Sequence, residues 1–282
     1  CGYHGWHDWY LSANLKNKNN LNKLLMKDVK TDGIPKNLKN TSLVFDYNKI
    51  ESFKKLIKKN NFAAVIMEVS RSEPPKYKFL EEIRKICDQK GIVLIFDECT
   101  SGFRETYGGL HLKYGINPDI CLFGKALGNG FAINAVIGKF EIMKILEKNF
   151  VSSTFWTERV GNVAALETLK VMERIQSWKI ITGLGKKIKK NWKLLAKKNN
   201  LNIRISGLDA LPKFEFVGNQ NNYLKTYISQ EFLKKNYLAS NTIYLSTSHD
   251  QKKIIDNYFD ILDDIFYKIS INKHNLLDGP ES

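Results

Sequence analysis

The sequence predicts an α/β fold in two parts, a large domain built on a mostly parallel sheet and a smaller C-terminal α/β domain. Three observations carry this prediction. Short apolar runs of strand type recur at 62–69 (FAAVIMEV), 92–96, 120–123 and 133–137. A helical segment, Tyr77–Lys90, places Leu80, Ile83, Ile86 and Cys87 on one stripe between the first two runs, and Gly91 ends it. From about Leu201 the texture changes to short strands alternating with helices.

Apolar strands joined by crossover helices imply parallel pairing and a sheet covered on both faces. Ligands of such sheets bind at the carboxyl ends of the strands. After Gly138 the pattern becomes helical over Glu141–Lys148. A loop, VSSTFWTERVG, leads to a second helix over Gly161–Gln176, where Leu166, Leu169 and Met172 recur at helical spacing. Then follow the strands NIRI and KFEF, a helix over Leu224–Asn236, a strand TIYLS and a final helix over Asp250–Ile269. The domain boundary falls near Ser177–Thr182, giving domains of 1–178 and 179–282. The last stretch, INKHNLLDGPES, reads as a frayed tail.

A chain of 282 residues with 43% hydrophobic content can bury a large core and does not read as disordered. No apolar run approaches the roughly 18–20 residues of a membrane span. The net charge of +15 comes mostly from lysine, with six arginines among 44 basic residues. In LGKKIKKNWKLLAKKNNLN, 184–202, Ile188, Trp192, Leu194 and Leu195 are the apolar positions and lysines fill much of the rest. This is a solvated helix face, so no specific nucleic-acid partner is expected. Cys1, Cys87, Cys99 and Cys121 form no paired motif and read as reduced thiols of a cytoplasmic protein. The chain opens on CGYHGWHDWY, which has no signal-peptide features and reads as a start inside a domain.

One short stretch raises a chemical question. Lys125 in DICLFGKALGNGFAINAVIGK stands just past the exit of one strand, among Gly124, Gly128 and Gly130, and Asp97 stands at the exit of the preceding strand in VLIFDECTSGFR. Taken singly, each has a bland reading, a surface lysine and a helix cap or ion-pair partner. Together they put an amine and a carboxylate at one sheet edge. If the cofactor is pyridoxal 5′-phosphate, the amine forms a Schiff base with its aldehyde and the carboxylate keeps the ring nitrogen protonated. A lysine displaced from that linkage also serves as a base.

The segments AAVIMEV, LIFDECTSGFR, YGINPDICLFGKALGNG and STFWTERVGNVAALETL resemble the class III aminotransferases, of the branch that includes glutamate-1-semialdehyde aminomutase. The resemblance covers 1–269. It implies a fold-type-I pyridoxal-phosphate transferase in which Lys125 is the Schiff-base lysine and Asp97 the partner of the ring nitrogen. Tyr3, in GYHG, would stack on the ring, with His4 beside it at the cofactor. Cys99 would fill the place behind the ring where the family carries an aliphatic residue. Thr154, in SSTFW, would reach the cofactor phosphate of a neighbouring subunit, which implies a homodimer. Glu68 matches an acidic residue near the reacting face, and Arg71 is a local candidate for a substrate carboxylate.

The resemblance also implies a region ahead of GYHG whose Gly/Thr loop holds the cofactor phosphate, so this chain alone is expected to bind the cofactor weakly. Thr157, Glu158 and Arg159 replace the family's usual Gly-Asn-Pro, which leaves the amino donor and the carbonyl acceptor open. The implied activity is amino transfer. The intramolecular aminomutase reaction is the near alternative, although ALGNGFAINA departs from the run associated with that enzyme. A non-catalytic remnant of the fold is the third reading. His4 and His7 lack a third ligand cluster, so no metal is expected. His249 reads as local structure, with Asp250 as a helix cap.

Overall fold

The computed structural model describes residues 2–18, 20–23, 29–218, 220–271 and 276–280. It divides into two compact units, Cys1–Gly102 with Gly108–Thr168, and Phe103–Tyr107 with Leu169–Ser282. The residues at which the sequence suggests a boundary, 177–182, lie inside a helix.

The first unit opens with a short helix, α1 (Asp8–Ser12), and continues through α2 (Ile50–Lys59), strand β1 (Ala64–Met67), α3 (Phe79–Lys90), β2 (Val93–Asp97), β3 (Ile120–Phe123), β4 (Ala135–Gly138) and α4 (Phe140–Met143). The strands form one sheet in the order β1-β2-β3-β4. Gly91, at φ 63, closes α3 in the left-handed conformation that glycine adopts without penalty. The chain then turns directly into β2.

β1, β2 and β3 pair in parallel, and β4 runs antiparallel to β3, with Cys121 opposite Ile137. The sheet is thus mostly parallel, as expected, with one antiparallel strand at its edge. The connection over 124–134 holds only the 3-10 turn Lys125–Leu127, too short to carry the chain back for parallel entry. The expected helix over Glu141–Lys148 is likewise divided into α4 and a 3-10 turn, Lys144–Lys148.

Coverage on both faces is a second expectation that the described residues do not meet. In register, Val65 lies beside Leu94, and Met67, Phe96 and Cys121 form the next row, all of them buried. The opposite face carries Ala64, Ile66, Ile95 and Leu122, which are half-buried or exposed. The buried face makes the core, and Asp97 extends the other one. A cavity of about 800 Å³ opens there, lined among others by His4, Tyr10, Phe53, Ile66, Glu68 and Ile95.

Helix α5 (Val160–Ile175) begins in the first unit and ends in the second. The second unit then comprises α6 (Ser177–Lys198), the antiparallel pair β5 (Ile203–Ser206) and β6 (Lys213–Phe216), α7 (Asn221–Leu233) and α8 (Lys252–Ile271). Its core is aromatic. Trp192, Phe214, Phe232 and Phe266 are fully buried, and the Trp192 indole N–H donates to Tyr258 Oη at 2.9 Å, so the one polar atom of that ring is satisfied.

TIYLS is not a strand. It makes one bridge, Thr242 with Lys213, and the Ile243 N–H donates to the Pro212 carbonyl. Pro212 has no N–H to return, so the ladder stops. Asp250 follows the turn Thr247–His249 as its C-cap rather than capping α8, and His249 completes a capping box with Ser246. The tail docks where it is described. The Leu276 N–H donates to Tyr223 Oη at 2.6 Å, the Asp278 N–H donates to Gln230 Oε1 at 2.7 Å, and Leu276 and Leu277 pack on the core.

Two glycines of α6 separate packing from propensity. A Cβ on Gly185 would stand 1.6 Å from the Asp209 carbonyl oxygen, whereas one on Gly183 would meet nothing within 4 Å. Gly185→Ala is expected to destabilise the second unit by more than about 3 kcal/mol. Gly183→Ala is expected to stabilise it by up to about 1 kcal/mol. Denaturant unfolding of the two variants checks both, and equal effects would contradict the packing described.

Candidate active site

Asp97 is the last residue of β2 and is buried, at 7% exposure. A buried carboxylate normally neutralises itself by taking up a proton. Here burial does push upward, but a hydrogen bond with His4, another from the Cys99 backbone N–H, and the charges of His4 and Lys125 outweigh it, so the Asp97 carboxyl titrates below its ordinary value. The Cys99 N–H donates to Oδ1 at 3.0 Å, and His4 Nδ1 lies 2.9 Å from Oδ2. The sequence gathers these groups by ending an apolar strand on a turn, DECT, whose backbone folds back on the carboxylate.

Lys125 follows β3 after a single residue. Its φ of 45 lies in the left-handed region, which is rare for a residue with a long side chain. The turn is held by backbone bonds from the Leu127 N–H to the Gly124 carbonyl at 3.0 Å and from the Gly128 and Asn129 N–H groups to the Lys125 carbonyl, both at 3.2 Å. The side-chain amine donates to Cys99 Sγ at 3.2 Å. Gly124 makes this approach possible, since a Cβ there would come within 2.9 Å of the same sulfur and 2.4 Å of Asn134 Oδ1.

Glu68 follows β1 and is 6% exposed. Its Oε1 accepts from Arg71 at 3.2 Å, and its Oε2 has no hydrogen-bond partner among the described residues. Burial raises its pKa first, with the charge of Asp97 adding to the rise and those of Arg71 and His4 opposing it. Arg71 is therefore engaged with Glu68. The fold brings together Glu68, Asp97, Cys99, Lys125 and His4, all residues singled out from sequence. Tyr3 is half-buried and packs edge-on to Tyr10, with ring centroids 6.0 Å apart. Thr154 is exposed in the turn 154–157 and is not hydrogen-bonded to that group.

His7 caps α1, accepting from the Tyr10 N–H at 3.3 Å, and so has a local role. Sequence reasoning overlooked a buried network behind Asp97. Glu98 Oε1 accepts from the His111 N–H at 2.9 Å and lies 3.1 Å from His111 Nδ1, Ser101 donates to Glu98 Oε2, and Cys121 Sγ is 3.6 Å from His111 Nδ1. Three ligand-type atoms of Glu98, His111 and Cys121 lie within 4.8 Å of one another. Their hydrogen bonds satisfy them mutually, which makes the network a brace under the site. A buried Glu directly after Asp97, with a His in the following GGLHLKYG, was the available signal.

The family model for aminotransferase class III matches residues 1–256. The 3-aminobutyryl-CoA aminotransferase of Cloacimonas acidaminovorans is 32% identical over 224 residues, 76% of this chain and 50% of that protein. A glutamate-1-semialdehyde 2,1-aminomutase of Ignicoccus hospitalis is 31% identical over 230 residues, 75% of this chain and 54% of that protein. The chain thus spans about half the length of these curated relatives. Among solved structures, the FumI protein of Sphingopyxis sp. MTA144, in its PLP internal aldimine form, superposes with a TM-score of 0.83 at 20% identity, over 98% of this chain and 65% of that one. An omega-transaminase from Sphaerobacter thermophilus gives 0.81 at 20% identity over 96% and 67%. These likenesses show the fold type of pyridoxal-phosphate transferases. With the family pattern running through nine-tenths of its length, the chain belongs to the class III aminotransferases, enzymes dependent on pyridoxal phosphate.

Proposed function

We propose that this chain carries the cofactor-holding and proton-moving residues of an aminotransferase acting between a small amino donor and an aldehyde or keto acceptor. One observation carries the reading. Lys125 is held in a left-handed conformation that brings its amine to the corner where Asp97 is kept ionised in buried surroundings.

The residues fit pyridoxal phosphate. Asp97 uses one position on each oxygen for the Cys99 N–H and for His4. A carboxylate offers about four acceptor positions, so a protonated ring nitrogen can still be accommodated. When bound, the cofactor supplies an aldehyde that captures amines and a ring that accepts the electron pair left by a departing proton. Lys125 Nζ would hold it and, when free and neutral, would take and return the proton at the substrate carbon. Asp97 holds a fixed negative charge, and His4 orients that charge. Tyr3 supplies a flat aromatic surface and Cys99 a small apolar one. Glu68, whose buried Oε2 has no partner among the described residues, lines the cavity and is assigned to the substrate side. The exposed Thr154, in a motif like the family's phosphate-binding threonine, supports assembly as a homodimer in which each subunit completes its partner's site. Among the described residues no helix is long and apolar enough to cross a membrane. The unpaired spacing of the cysteines supports reduced thiols and a cytoplasmic protein.

The relatives named as aminomutases favour a second reading, rearrangement of glutamate-1-semialdehyde within one molecule. Product analysis with that substrate separates the two, because rearrangement yields 5-aminolevulinate with no second amino acceptor.

Borohydride reduction of the chain with pyridoxal phosphate, followed by peptide mapping, is expected to label Lys125. Lys125→Ala should remove the label and lower turnover by at least about 10²-fold. A label elsewhere would overturn the assignment. Asp97, with its folded pKa lowered, contributes stability that is fully present above about 3.8 and lost as pH falls through the lower folded value. His4→Ala removes one cause of the lowering, so the acid limb of the melting curve should move to higher pH. Glu68 has the opposite sign. Its folded pKa is raised above 4.5, so stability falls as pH rises from there through the folded value. Glu68→Gln should flatten that limb, as read by thermal unfolding at several pH values.

A further inference from the structure

Cys99 differs from the other free cysteines among the described residues. Burial pushes the Cys87 thiol up to about 11, and burial together with the Glu98 charge pushes the Cys121 thiol up to about 12, which leaves both inert at neutral pH. Cys99 is only half-buried. Its backbone is tied to Asp97, its sulfur is backed by Gly124, and the Lys125 amine sits against it at 3.2 Å. A nucleophilic amine is thus fixed beside an oxidisable sulfur that has little room to retreat.

We propose that Cys99 and Lys125 are an oxidative modification site at which a hydroperoxide drives formation of a covalent nitrogen–sulfur bond, withdrawing Lys125 from amine chemistry. In the first step the Cys99 thiol takes one oxygen from the hydroperoxide. The O–O bond breaks, a sulfenic acid forms, and the peroxide is reduced to its alcohol or to water. In the second step neutral Lys125 Nζ attacks that sulfur. The N–S bond forms, the S–O bond breaks, and the hydroxyl leaves as water with a proton from the amine. A thiol reductant reverses the bond. One thiol attacks the sulfur and releases the amine with a proton, and a second frees Cys99 while the reductant becomes a disulfide. The bond itself depends only on the two side chains, whereas its regulatory consequence rests on the reading of Lys125 as the cofactor lysine.

The test treats the full chain, free of cofactor, with hydrogen peroxide, alkylates the remaining thiols and maps the peptides by mass spectrometry. The expected result is a linked pair joining the Cys99 and Lys125 peptides, lighter than their sum by the pair of hydrogens lost in forming the bond. The pair should disappear on adding dithiothreitol and be absent from Cys99→Ser and from Lys125→Arg. Peroxide should also abolish borohydride trapping of pyridoxal phosphate on Lys125, and dithiothreitol should restore it. Recovery of Cys99 as a free thiol, or as a sulfinic acid with Lys125 unlinked, would overturn the proposal. A linked pair in a chain that takes no borohydride label supports the bond and overturns the cofactor reading, while a label without a linked pair does the reverse.

Discussion

A carboxylate that must stay charged while buried governs the arrangement around it. Left to burial alone, Asp97 would take up a proton and lose the charge that makes it useful. Two donors prevent this, and each imposes a demand on the chain. The Cys99 N–H reaches Oδ1 only if β2 ends at Asp97 and turns at once. His4 reaches Oδ2 only if the GYHG segment lies at the same sheet edge, far from its neighbours in sequence. The network of Glu98, Ser101 and His111 then braces the turn from behind.

Lys125 meets the same corner from the next strand, at a local cost. A left-handed lysine is unfavourable unless its surroundings over-determine it, and here three backbone hydrogen bonds and the Gly124 backbone do so. Lys78 shares the left-handed backbone, so what sets Lys125 apart is the place of its amine, against Cys99 Sγ and next to the strand exit. The charge of +15 is spread over many surface lysines, whereas the Lys125 amine has a fixed neighbour in Cys99.

Much of this was legible in the sequence, for identifiable reasons. β1, β2 and β3 read directly because buried parallel strands are continuous apolar runs, and Asp97 and Lys125 stood out because they stand at the exits of such runs. The direction of β4 did not read, since an apolar run looks the same either way and only the length of 124–134 decides it. TIYLS has strand composition but its potential partner contains Pro212, which cannot complete a ladder. The docked tail depends on Tyr223 and Gln230, contacts that no local pattern reveals. The bond between His4 and Asp97 is equally invisible to periodicity.

The closeness of Gly124 to both Cys99 Sγ and Asn134 Oδ1 has a consequence for substitution. Positions 99, 124 and 134 share one small volume. A larger side chain at any of them would need another to shrink or turn away. Any side chain at 124 would need Cys99 or Asn134 to move, which ties the glycine there to one residue 25 positions before it and another 10 positions after it.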